Sequence, residues 1–131
     1  MKKSSKAHIR LGRRGEDVAA RYLTGKGFEI LGRNLLLKSA EIDILARDGA
    51  TFVLVEVKTL RYRKDVEQRP GMHYTEDQRR RQRRAVSELQ RKFADADFPF
   101  RHDLVEVFMG KLFPVAIRHH SDYYKYKHFP A

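Results

Sequence analysis

The stretch Glu41-Ile42-Asp43-Ile44-Leu45-Ala46-Arg47-Asp48-Gly49-Ala50-Thr51-Phe52-Val53-Leu54-Val55-Glu56-Val57-Lys58 decides the fold. Successive side chains of a strand point to opposite faces. From Thr51 onward, that alternation sets Val53, Val55 and Val57 on one face and Phe52, Leu54, Glu56 and Lys58 on the other. A carboxylate and an ammonium therefore emerge at the end of a row that begins as core. In the preceding segment Glu41, Asp43 and Leu45 share a face opposite Ile42 and Ile44. Gly49 and its neighbours suit a hairpin turn, and hairpin pairing brings Asp43 toward Glu56.

Working outward, the spacing of Leu11, Gly15, Val18, Ala19, Tyr22 and Leu23 predicts a helix from about His8 to Thr24, ended by Gly25 and Gly27. A strand follows from Phe28 to about Leu37. Beyond the central pair, Leu60 to Tyr74 reads as an Arg- and Lys-rich connection near the acids, with a turn signal at Pro70-Gly71. Thr75-Glu76-Asp77-Gln78 fits a capping box opening a helix to about Ala94. Phe100 to Met109 and Lys111 to Arg118, separated by Gly110, read as a closing pair of strands. The order helix, three strands, helix, two strands predicts one mixed sheet with helices packed against it, an α/β or α+β arrangement.

A chain of 131 residues fits a single domain with its own core, expected to span 1–131 with flexible ends at about 1–7 and 121–131. The absence of cysteine excludes a disulfide framework and thiolate zinc sites. His8, His73, His102, His119, His120 and His128 are scattered without zinc spacing and read as ordinary polar residues. No apolar run approaches the roughly 18 residues that span a bilayer. The start, Met1-Lys2-Lys3-Ser4-Ser5-Lys6, lacks the apolar core of a signal peptide. The expected location is cytoplasmic, without a membrane partner.

With 28 Lys and Arg against 17 Asp and Glu, the chain carries a formal +11 and should attract polyanions, of which nucleic acid is the commonest. The densest positive segment is Arg79-Arg80-Arg81-Gln82-Arg83-Arg84. Its like-charged pairs at 79/83 and 80/84 oppose helix formation, and phosphate contacts would relieve them. Arg79, Arg80, Arg81, Arg83 and Arg84 are thus candidate nucleic-acid-binding residues, with Ala85, Val86, Leu89 and Phe93 as the inward stripe. Backbone contacts of this kind predict salt-sensitive, sequence-tolerant binding. The competing account is a solvated basic face without a ligand. The tail Tyr123-Tyr124-Lys125-Tyr126-Lys127-His128-Phe129 mixes stacking and cationic groups, though such a tail more often packs on the body or frays.

A phosphodiester gives the two acids and the lysine a chemical purpose. A hard divalent cation held by Asp43 and Glu56 would neutralise the phosphate and activate water, and Lys58 would orient that water or stabilise developing charge. Glu16 lies in helical register with Ala19, Ala20 and Leu23, at the border of the buried face, where it could reach metal-bound water or hold Lys58. Gly12 and Gly15 each cost about 1 kcal/mol relative to Ala within a helix, which points to close approach by another backbone or a phosphate. Gln78 is explained by its capping role, with an active-site role as the lesser alternative. The bland account of Asp43, Glu56 and Lys58 is an exposed ion pair on a half-buried sheet.

Gly12-x-x-Gly15-Glu16, Ala19, Tyr22-Leu23, Gly27-Phe28, Arg33-Asn34, Glu41-Ile42-Asp43-Ile44, Val55-Glu56-Val57-Lys58-Thr59 and Arg101-x-Asp103-Leu104-Val105 together resemble the bacterial YraN-like family. That family is similar in pattern to Holliday-junction resolvases of the PD-(D/E)XK nuclease superfamily. Two positions depart from it: Ala40 stands where the family usually has glycine, and Leu60 where it usually has arginine. The resemblance implies a restriction-endonuclease-like α/β fold, a mixed sheet of about five strands flanked by helices. Carried over by position, it implies Asp43, Glu56 and Lys58 as the acid, acid and lysine of a nuclease, and Glu16 as its helical acid.

The expected function is a Mg²⁺- or Mn²⁺-dependent endonuclease hydrolysing phosphodiester bonds in DNA, with branched, Holliday-junction-like DNA as a candidate substrate. Glu16, Asp43, Glu56 and Lys58 are the expected catalytic residues, and Asp43 and Glu56 the metal ligands. Branched DNA would call for two sites spaced across a homodimer. The alternatives are a non-catalytic nucleic-acid-binding protein that keeps the fold, and an assembly partner whose basic helix binds an acidic protein.

Overall fold

The computed structural model describes residues 2–38, 40–64, 75–93 and 99–124. The elements run α1 (Lys2–Gly25), β1 (Glu29–Leu36), β2 (Glu41–Asp48), β3 (Thr51–Arg61), α2 (Glu76–Lys92), β4 (Phe100–Met109) and β5 (Pro114–Tyr124). The strands lie in one mixed sheet in their chain order, with β3 and β4 parallel and the other neighbours antiparallel. Parallel neighbours need a crossover, and α2 lies within it. The fold is α/β: a five-stranded sheet flanked by two helices, as expected for a restriction-endonuclease-like domain.

The turn between β2 and β3 has the predicted chemistry. Asp48 pairs with Thr51, leaving Gly49 and Ala50 as a two-residue loop. Gly49 has φ of +60°, the backbone that the first central residue of a type II′ hairpin turn needs. The register that follows sets Leu45 opposite Leu54 and Ile44 opposite Val55.

Each sheet face has its own core. Val53, Val55 and Val57 pack with Ala19 and Leu23 of α1 and with Val105 and Val107 of β4, so the valine face is the α1 face. On the other side Leu54 and Ile42 pack with Ala85, Val86 and Leu89 of α2. Fully burying one such aliphatic side chain contributes roughly 1.5–3 kcal/mol, which fixes both helices to the sheet. Thr75 caps α2 through the predicted box: its hydroxyl accepts from the Gln78 N–H at 3.2 Å, and the Gln78 side chain accepts from the Thr75 N–H at 2.9 Å.

Four details differ from the sequence reading. The helix expected from about His8 begins at Lys2. Leu60 and Arg61, expected in a connection, continue β3 because β4 pairs with them through Phe108 and Met109. The last strand runs Pro114–Tyr124 rather than Lys111 to Arg118, so that it takes in 121–124 of the expected flexible end; it starts late since Gly110 to Phe113 form the turn, with the Gly110 N–H bonded to the Phe113 carbonyl at 2.8 Å. Ile42 and Ile44 do not share a core: Ile44 lies in the α1 core and Ile42 in the α2 core. The Pro70-Gly71 turn, His73, His128, Ala94 and the tail beyond Tyr124 lie outside the described residues, as do the side chains of His8, Tyr123 and Tyr124.

Candidate functional site

Asp43 lies between Ile42 of the α2 core and Ile44 of the α1 core. The backbone pairing of β2 with β3 stops at Ile44 and Val55. Beyond it, the Val57 N–H is bonded at 2.8 Å not by a carbonyl of β2 but by Oδ2 of Asp43. A side chain thus substitutes for the ladder where the two strands part. Asp43 and Glu56 interact across this gap, and both line two cavities. A cavity of about 200 Å³ opens on the α2 side, where Gln78, Arg81 and Gln82 join the acids. A larger one of about 590 Å³ opens on the α1 side, walled by Glu16, Lys58, Gly12 and the end of β3.

The electrostatics are those of acids held together with little access to water. Burial pushes the Glu56 carboxyl up, and the neighbouring Asp43 pushes it further, to about 8 against an ordinary 4.5, although Lys58 opposes both. Burial likewise raises Asp43, with the Val57 hydrogen bond pulling the other way. Lys58 Nζ lies 3.5 Å from Glu56 Oε1. The other oxygen of Glu56 accepts from the Gln82 amide at 3.2 Å. Glu16 is raised by burial and then by Asp43, whereas Arg33 and a hydrogen bond from Asn34 lower it. The Arg33 guanidinium is 3.7 Å from Glu16 and 2.8 Å from Asp17. Asn34 has φ of +53°, a left-handed backbone that asparagine tolerates better than most residues. Arg33 and Asn34 together hold the helical acid at the mouth of the larger cavity.

The sequence-predicted residues Glu16, Asp43, Glu56 and Lys58 therefore converge. Gly15 makes the convergence possible, because a Cβ there would lie 1.8 Å from the Thr59 hydroxyl oxygen. The close approach is by a side chain, not by a backbone or phosphate. Gly12 has nothing within 4 Å of a Cβ position and borders the larger cavity instead. Ala40 has no positive φ, and its methyl adds to the α2 core, so the departure from glycine is accommodated.

The arginines of α2 divide. Arg81 lines the smaller acidic cavity, and Arg80, Arg81 and Arg84 line a neighbouring one with Asp77. Arg80 pairs with Asp77, whereas Arg79 is half-buried and lies near enough to His102 to lower its pKa. Arg83 is also half-buried.

Three features escaped sequence reading. Gln82 is buried and reaches Glu56, one turn after Gln78; a polar residue in the stripe that continues as Ala85, Val86 and Leu89 was the available signal. His102, His119 and His120, expected to be ordinary polar residues, are held in specific settings. His119 Nε2 lies 2.7 Å from the fully buried Asp103, and His120 Nε2 lies 2.8 Å from the fully buried Glu106. Burial, and then Arg79, lowers His102 to about 4 despite the neighbouring Asp103.

Asp43 and Glu56 offer hard oxygen donors, which suit Mg²⁺ or Mn²⁺. Among the described residues no group of three or more His, Asp or Glu side chains is arranged to hold a metal ion. Mg²⁺ keeps several waters and takes few carboxylates, and a dication would relieve the repulsion that raises Glu56. The pair fits such an ion.

A family model described as Uncharacterised protein family UPF0102 matches residues 15–107, from Gly15 through α2 to most of β4. The chain belongs to the UPF0102 family. This is the YraN family of the motif resemblance. A UPF0102 protein of Symbiobacterium thermophilum is 41% identical over 101 residues, covering 77% of this chain and 84% of its own. Another, of Caldicellulosiruptor saccharolyticus, is 41% identical over 100 residues, covering 76% and 83%. A shorter match, to a UPF0102 protein of a Parafrankia strain, is 62% identical over 50 residues, 38% of this chain and 42% of that one. Among the described residues no helix of this UPF0102 member is long and apolar enough to cross a membrane.

Proposed function

We propose that this UPF0102 protein is a metal-dependent endonuclease that hydrolyses phosphodiester bonds in DNA, with branched DNA as the substrate to test first. The observation that carries the reading is the Asp43–Glu56 pair in the gap between β2 and β3, with Lys58 3.5 Å from Glu56 and Glu56 raised to about 8. A structural ion pair has no need of a second carboxylate, and two carboxylates repel unless a proton or a cation joins them.

A Mg²⁺ or Mn²⁺ held by Asp43 and Glu56 would supply neutralisation of the phosphate and a water of lowered pKa. The chain's own residues do the rest. Lys58, fixed beside Glu56, donates to phosphate oxygens as charge develops on them. Gln82 holds Glu56 from the opposite side, so that its oxygens keep one orientation. Glu16, raised above an ordinary glutamate, is a stronger base at the other wall of the larger cavity and can accept a proton from the attacking water. Arg81, at the smaller cavity, adds positive charge where the DNA backbone would enter.

The experiment is cleavage of linear, flapped and four-way DNA with Mg²⁺ or Mn²⁺. Wild type should nick at least one of the three, and Lys58→Ala and Asp43→Asn should each lower the rate by about a hundredfold or more. Absence of nicking by wild type with either cation, or undiminished nicking by both variants, rules out the enzyme and leaves a nucleic-acid-binding protein on a nuclease fold.

A further inference from the structure

The acidic cavity is the first of a row. Arg81 is shared between it and a cavity of about 320 Å³ lined by Asp77, Arg80, Arg81 and Arg84. Arg84 is shared in turn with a third, of about 550 Å³, lined by Lys38, Arg84, Glu88, Arg91 and Lys92. The row follows α2 from the site toward the helix C-terminus. Four cations against one carboxylate surround the third cavity, and that carboxylate faces inward. The Glu88 side chain is 9% exposed, with Oε2 accepting the Lys38 N–H at 3.2 Å and lying 3.8 Å from Lys92 Nζ. Glu88 thereby ties the segment between β1 and β2 to α2 and carries Lys38 to the helix, while Lys38, Arg84 and Arg91 are exposed.

We infer that the cavity of Lys38, Arg84, Arg91 and Lys92 is a phosphate subsite that binds the nucleic-acid backbone away from the acidic pair. This rests on the reading of that pair as a nuclease site. Glu88 offsets only one of the four cations gathered around this opening, and an entering anion would offset more. Guanidinium forks match the paired oxygens of a phosphate. From Arg81 to Arg91 the helix rises about 15 Å at 1.5 Å per residue. That is on the order of four nucleotide steps at 3.4 Å each, so one polymer can occupy the row. The outermost cavity then sets how the strand lies across the site, through contacts that carry no sequence information.

The test is DNA affinity against salt, followed by fluorescence anisotropy of a labelled duplex in EDTA, so that binding is read without cleavage. Lys38→Gln with Arg91→Gln should flatten the slope of log affinity on log salt by about 2 and weaken binding about tenfold at 0.1 M salt. Charge-preserving Lys38→Arg with Arg91→Lys should keep the wild-type slope, which separates charge from folding. Arg10→Gln with Arg21→Gln, an equal charge loss on exposed positions of α1, should leave the slope within about half a unit. An unchanged slope in the first variant, or an equal fall in the α1 variant, overturns the subsite even if wild type cleaves DNA. A flattened slope confined to the first variant upholds it even if wild type cleaves nothing, in which case only the nuclease reading fails. Failure of wild type to bind DNA, with capture of polyglutamate in its place, overturns it in favour of an acidic protein partner.

Discussion

Two sets of carboxylates lie on the same sheet, one fully buried and one half-buried at the cavities, and they are treated in opposite ways. On β4, Asp103 is fully buried between His119 at 2.7 Å and the Arg101 guanidinium at 3.0 Å, and Glu106 is fully buried against His120 at 2.8 Å. Arg101 also reaches Asp48, and although burial lowers its pKa, these acids raise it overall and keep it charged. His119 is further fixed by the Tyr22 hydroxyl at 3.3 Å and by ring-edge contacts with Tyr22 and Phe28. On β2 and β3, Asp43 and Glu56 face each other with Lys58 and Gln82 as partners, and both are raised. Buried acids that each have their own partner tie elements together; acids whose pKa is raised by burial and a neighbouring acid mark a place ready to take up a proton or a cation.

The largest expected effect tests the matched set. Asp103→Ala leaves Arg101 and His119 without their shared acid at the junction of α1, β4 and β5. Removing one partner of such a buried pair should cost about 3–5 kcal/mol, read as a fall in the urea midpoint of unfolding. A loss below about 1 kcal/mol would mean that the β4 acids are no more structural than the site acids, and the contrast would collapse.

Acid titration sharpens the contrast next. His102 belongs to the β4 half but is held neutral, at about 4 in the folded protein against an ordinary 6.5. Between these values the unfolded chain takes up a proton that the folded state refuses. Stability from this group is thus complete above pH 6.5, falls as pH drops toward 4, and totals roughly 3 kcal/mol. Urea midpoints of wild type and His102→Gln between pH 4 and 7 should converge as pH falls. Parallel curves would show that His102 is protonated without penalty and that the β4 half is not closed to charge.

What was legible in the sequence follows from how far apart the interacting residues lie. The valine alternation, the Gly49 turn and the capping box are local patterns, and all three appear in the structure as read. Asp43, Glu56, Lys58 and Glu16 were findable because carboxylates in apolar strands and at a helix border are conspicuous. The histidine partners were not, since His119 and His120 meet their acids only through the β4–β5 hairpin, which has register irregularities of its own. Alternation predicts that Ile42 and Ile44 are both buried, as they are, but not that they join the cores of different helices. The β2–β3 pairing ends at Ile44 and Val55, and beyond it the Asp43 side chain takes the Val57 N–H. Gln82 was hidden among arginines, although its spacing from Ala85 and Val86 marks it as inward-facing.

The smallest effect bears on the raised acids and has the opposite sign. With its carboxyl raised from 4.5 to about 8, Glu56 binds a proton more tightly in the folded state than in the unfolded chain. Stability contributed by this group therefore declines as pH rises through that window, and at pH 7 most of the penalty is present. Glu56→Gln keeps the shape and can still meet Gln82 but removes the charge. It should raise stability at pH 7 by about 1–3 kcal/mol without metal, shrinking toward zero below pH 4.5. Mg²⁺ or Mn²⁺ should reverse the order. A cation that binds only the folded state stabilises it in proportion to the logarithm of its concentration over Kd, so wild type should gain Tm with added metal while Glu56→Gln should not. If Glu56→Gln lowers stability at pH 7 as Asp103→Ala does, Glu56 is another matched structural acid, and the gap between β2 and β3 loses its claim to be a site.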